Sequence, residues 1–105
     1  MIQAIFKRSR GVFTGVSVSG HAGYVEEGPD IVCAAVTSAV QLVSNGITEV
    51  LKAPIDVNAG EENIDLILRH DTPAGARMFI EALHLHLDIL SRQYGGYIEI
   101  TVREE

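Results

Sequence analysis

With 105 residues, 47% of them apolar, the chain has the size of one domain (1–105) and can bury a core without disulfides or a structural metal. Its single cysteine excludes an internal disulfide. Its formal charge of −6 disfavours nucleic acid, whose phosphates call for clustered Lys and Arg, and suits a basic partner instead. The opening residues MIQAIFKRSR lack the apolar stretch of a signal peptide, and the longest apolar run, Ile31 to Val36, is far too short to span a bilayer, so a cytoplasmic protein with no membrane contact is expected.

Ile2 to Lys7 is a β-prone run, and Ser9-Arg10-Gly11 reads as a turn that carries the basic cluster Lys7, Arg8 and Arg10 at a solvated hairpin tip. From Val12 to Ser19 the pattern alternates, with Val16 and Val18 on one side and Ser17 and Ser19 on the other, the period of a half-buried strand. A loop follows over 20–29. Asp30 then stands where a carboxylate can accept the unpaired amides of a helix that runs to about Asn45, with Gly46 ending it. That helix is apolar on nearly all sides and is expected to be central. Glu49 to Ala53 reads as a third strand cut by Pro54, 56–62 as a polar connector, and Ile64, Leu66 and Leu68 as a fourth strand. Thr72-Pro73 has the form of a cap and first turn for a second helix reaching about Tyr94, where Gly95-Gly96 stops it. Ile98, Ile100 and Val102 alternate as a last strand. The order β-β-α-β-β-α-β predicts an α+β fold, two helices packed on a mostly antiparallel sheet.

The second helix carries two apolar stripes: Phe79, Leu83, Leu87, Leu90 and Tyr94, and Met78, Ala82, Leu85 and Ile89. One faces the sheet. The other needs a further partner, either the first helix or a second copy of the chain. His70, His84 and His86 read as solvated, since His84 and His86 lie about 200° apart on a helix and nothing supplies the ligand spacing of a zinc site; no metal or cofactor is expected.

Cys33 admits two readings. Lone cysteines are commonly inert core thiols. This one, however, lies three residues after the capping position, where the helix end favours a thiolate, the nucleophilic form. His21 sits twelve residues earlier, close enough along the chain for a loop to bring its imidazole to the thiol, and Cys with a His base is the minimal set for attack on a carbonyl. Amides near Cys33 could cradle the resulting oxyanion. Gly20, Gly23 and Gly28 would permit close backbone approach or loop motion over a substrate. A redox sensor would lack a resolving cysteine. Asp30 serves as helix cap or as orienter of His21. Ser38, five residues past Cys33, falls on a different face and reads as structural.

The stretch GHAGYVEEGPDIVCAAVTSAV resembles the signature of the ribosomal-processing cysteine proteases of the Prp family: Gly20-His21-Ala22, an acidic loop with Gly28, then Asp30-Ile31-Val32-Cys33-Ala34 and a small-residue helix. Thr37 is a mild departure where the family often has Ser. The resemblance implies Cys33 as nucleophile and His21 as general base. It also implies a homodimer, and a substrate in the N-terminal leader of large-subunit ribosomal protein twenty-seven. On that reading Gly23, Glu26, Glu27 and Gly28 contact substrate, the two acids meeting its lysines. The competing reading is a non-catalytic assembly module that holds a basic ribosomal protein.

Overall fold

The computed structural model describes residues 1–20 and 30–105. Two strands, β1 (Ile2–Ser9) and β2 (Val12–Ser19), form the expected hairpin. Its two-residue turn places both Arg10 (φ 54°) and Gly11 (φ 77°) in the left-handed region, as the right-handed twist of a tight hairpin favours. Helix α1 (Ile31–Asn45) follows, then β3 (Ile55–Ala59), β4 (Asn63–Leu68), α2 (Gly75–Gln93) and β5 (Ile98–Glu104). The strands make one five-stranded sheet in the order β3-β4-β2-β1-β5, with three antiparallel ladders and one parallel ladder between β1 and β5.

Strand alternation sets which side is buried. Ala4 and Phe6, Val16 and Val18, and Leu66 turn to one face and are buried there. Val32, Val36, Val40 and Val43 of α1 and Ile80, Leu83, Leu87 and Leu90 of α2 complete the core against them. Both helices therefore cover one face of the sheet.

Four expectations about the helices and strands change. Gly46 does not end the first helix: it keeps helical angles (φ −58°, ψ −43°), and the chain continues as a π-helical turn over Gly46–Val50. Glycine is needed there for space, because a Cβ would lie 2.5 Å from Cε1 of Phe79 on α2. The third strand consequently starts later, at Ile55, and occupies what reads as polar connector. It is an edge strand paired only with β4, so three of its side chains, Asp56, Asn58 and Ala59, are exposed along with Val57 at 41%. The joined helix over Ile31–Val50 is 20 residues long and apolar enough to match a membrane span, unlike the short run read from sequence, yet its Val32, Val36, Val40, Val43 and Ile47 are packed in the core. Thr72 does not cap α2, which has no side-chain cap; its buried hydroxyl accepts the Arg69 N–H (2.8 Å) and donates to the Pro54 carbonyl (2.5 Å), tying two loops together.

The buried side of α2 is Ala76, Ile80, Leu83, Leu87 and Leu90, with Phe79 and Tyr94 half-buried at its edge. The other stripe is open: Met78 is 69% exposed, Leu85 60% and Ile89 45%, so α1 is not its partner. His84 is not a solvated side chain. It is half-buried, edge-on to Phe6 (centroids 4.8 Å apart) and tilted against Phe13 (5.2 Å), while His70 and His86 are exposed.

Candidate active site

Helix α1 begins at a side-chain cap. Asp30 takes an extended backbone conformation, and one of its carboxylate oxygens, Oδ1, accepts the amide N–H of Val32 (3.0 Å) and of Cys33 (3.1 Å). Its carbonyl accepts the N–H of Ala34 (3.0 Å). The role of Asp30 in the described structure is thus that of helix cap. The amides of Val32, Cys33 and Ala34 are all engaged by Asp30, so the expectation that amides near Cys33 cradle an oxyanion is not met by these three.

Cys33 itself is half-buried and lines a cleft of about 260 Å³. The cleft lies between α1 and the β3–β4 turn. Its floor is apolar: Ile2, Val18 and Ile64 from the sheet, with Val36 and Val40 from the helix. Thr37 and Gln41 stand on the same wall as Cys33, at the i+4 and i+8 spacing that stacks side chains along one helix face. The opposite wall is the turn 60–63. Its shape is held by the Gly60 N–H donating to the Asn63 carbonyl (2.8 Å), and it is joined to the end of β2 by the Gly20 N–H donating to the Glu62 carbonyl (3.0 Å). Gly20 has φ +88°, and a Cβ on it would come within 2.6 Å of the Met1 carbonyl oxygen, so this position requires glycine.

Of the residues singled out in the sequence, Cys33 and Asp30 are brought together at the head of α1. Ser38 is exposed and lies outside the cleft lining, in keeping with a different face. His21, Gly23, Glu26, Glu27 and Gly28 lie outside the described residues. Among the described residues no group of three His, Cys, Asp or Glu is placed to hold a metal. The β3–β4 turn, with Glu61 and Glu62, is the part of the site that sequence reading missed, because it reads as a polar connector. Thr37 and Gln41 also go unread in the sequence, although their i+4 and i+8 spacing from Cys33 is a signal that could find them.

A half-buried thiol at a capped helix end, opening into a cleft with an apolar floor, suits attack on a bound peptide. A family model for the cysteine protease Prp matches residues 1–99. The ribosomal processing cysteine protease Prp of Bacillus subtilis (strain 168) is 28% identical, over 96% of this chain and 96% of its own. The crystal structure of SMU.848 from Streptococcus mutans superposes with a TM-score of 0.87 at 26% identity, covering 100% of this chain and 96% of that one. Prp from S. aureus, solved in complex with a covalently linked product peptide, has a TM-score of 0.90 at 22% identity over 98% and 100% of the two chains. With nearly its whole length matched, this chain belongs to the Prp family of cysteine proteases.

Proposed function

We propose that this protease removes the N-terminal extension of large-subunit ribosomal protein twenty-seven during ribosome maturation, with Cys33 as nucleophile and His21 as general base. The observation that carries the assignment is the position of Cys33: the chain's single cysteine lines the cleft instead of lying sealed in the core. The relative in B. subtilis bears the name ribosomal processing protease, and S. aureus Prp has been solved with a substrate peptide and with a covalently linked product, which supports a peptide substrate here.

In this mechanism His21 takes the thiol proton, and Sγ of Cys33 adds to the scissile carbonyl carbon. The tetrahedral intermediate collapses as the imidazolium returns a proton to the departing amide nitrogen, leaving a thioester. Water, deprotonated by His21, then attacks the thioester and Sγ departs. Gly23 and Gly28 allow the chain between Gly20 and Asp30 to approach the substrate backbone closely, and Glu26 and Glu27 meet its lysines. The enzyme works in the cytoplasm as a homodimer; the open stripe of Met78, Ala82, Leu85 and Ile89 is the surface that a second copy would cover.

Mass spectrometry of the purified protein incubated with the N-terminally extended ribosomal protein tests this. Wild type should release one defined leader peptide, and Cys33→Ala and His21→Ala should release none. An intact substrate after incubation with wild type would refute the assignment.

A further inference from the structure

The cleft has a charge pattern that the catalytic pair does not explain. Among the described residues, the charged side chains lining it are the carboxylates of Glu61 and Glu62 on the β3–β4 turn. Glu61 is exposed, so its carboxylate meets a ligand without first being desolvated. The turn that carries it is not a loose loop. It is closed by the Gly60 to Asn63 hydrogen bond and fastened to the end of β2 through Gly20, so the backbone that carries Glu61 has a fixed place opposite the helix of Cys33. The apolar floor beneath lowers the local dielectric and strengthens any ion pair formed above it.

The facing wall supplies a length. From Cys33 to Gln41 along α1 is about 12 Å at the helical rise of about 1.5 Å per residue. An extended peptide advances about 3.3 Å per residue, so the cleft holds about four residues of substrate.

We propose that the β3–β4 turn is the charge-reading wall of the cleft, and that Glu61 selects a Lys or Arg of the peptide within about four residues of the scissile bond. The inference rests on the protease reading above and adds a specificity-determining residue to it.

The test uses peptides spanning the leader junction, each with one residue within four positions of the cut set to Lys, Gln or Glu. Wild type, Glu61→Gln and Glu61→Lys are assayed for kcat and KM, with circular dichroism to verify that all three are folded. At one position wild type should favour Lys over Glu by about three- to fivefold in kcat/KM, carried by KM, the size of an ion pair at a partly solvated rim. Glu61→Gln should lose this preference, and Glu61→Lys should reverse it in favour of Glu, a change that a merely structural role for Glu61 cannot produce. Cleavage by wild type with no charge preference at any position, or a preference that persists in Glu61→Lys, overturns this inference and leaves the protease reading standing. Failure of wild type to cut any peptide overturns both.

Discussion

Oδ1 of Asp30 holds the backbone N–H of Cys33 at 3.1 Å, so the residue that caps α1 also grips the main chain of the candidate nucleophile. The same oxygen takes the N–H of Val32 at 3.0 Å. One carboxylate therefore sets the start of the helix and the position from which the thiol enters the cleft. Asp30→Ala should cost about 1 kcal/mol of stability, the usual loss for a side-chain cap, and Asp30→Asn markedly less, because an amide oxygen still accepts both bonds. Urea denaturation of the two variants distinguishes them. Equal losses would show that charge at the helix end, not the hydrogen bonds, is what matters.

Gly20 joins the last strand residue before His21 to the turn at Glu62. Its positive φ and the nearby Met1 carbonyl both oppose a side chain. Gly20→Ala should destabilise by about 1–2 kcal/mol from backbone strain alone. If His21 is the general base, as proposed, Gly20→Ala should also lower kcat/KM, since the substitution falls on the residue next to that histidine. Thermal melting and peptide cleavage measured on the same preparation check the two effects together.

Gly46 in the π-helical turn faces the ring of Phe79, with three ring atoms within 2.5 to 3.1 Å of where a Cβ would stand. Helix propensity alone would reward alanine there by about 1 kcal/mol. Overpacking should win: Gly46→Ala is expected to lose about 1–3 kcal/mol, since the whole ring must move and not merely its tip. Adding Phe79→Leu should restore part of the loss, which a double-mutant cycle by urea denaturation would measure.

Thr72 is buried, and its hydroxyl serves both Arg69 and Pro54. Thr72→Val keeps the shape and leaves the Arg69 N–H and the Pro54 carbonyl without that partner. A loss of about 1–3 kcal/mol is expected by calorimetry. A neutral outcome would mean that water reaches both groups.

Asp71 is held below the ordinary carboxylate range chiefly by its side-chain hydrogen bond from Arg69, whose Nε and Nη2 lie 3.2 and 3.1 Å from its two oxygens. A depressed folded-state pKa stabilises the fold above the unfolded value of about 4, and that contribution is lost as the pH falls through the folded value. Asp71→Asn should therefore lose a small amount of stability at neutral pH and converge with wild type in acid, so that its profile falls less steeply below about pH 4. The pair is exposed, so a variant that loses much stability at pH 7 would contradict this account.

Legibility in the sequence followed burial. β1, β2, β4 and β5 could be read because each sets apolar residues toward the helices at period two, and α1 because Asp30 and the apolar run mark its start. β3 was misplaced for two connected reasons. Gly46 looks like a helix terminator, since glycine commonly ends helices in the left-handed region, but here it serves contact with Phe79 at ordinary helical angles. With the helix cut short at Gly46, 49–53 reads as a strand. The true strand, Ile55–Ala59, pairs on one side only, and its Ile55, Val57 and Ala59 alternation is diluted by polar neighbours. The site divides in the same way. Cys33 and Asp30 follow from one local helix start, whereas the facing wall at Glu61 comes from a sheet edge that no short-range pattern marks. Thr72 has the identity of a cap and the location of a loop tie, a distinction only the tertiary contact to Pro54 makes.

The parallel ladder has a consequence for how the molecule comes into being. β1 is flanked by β2 and β5, and Ile2 stands opposite Ile98. β1 therefore needs β5, from far along the chain, before its second edge is satisfied, although Ala4 and Phe6 are completely buried once it is. Contacts so far apart in sequence make folding slow, and they leave β1 with an open strand edge until β5 docks. A competent cleft, whose floor includes Ile2, thus depends on the β1–β5 ladder as well as on α1 and the β3–β4 turn.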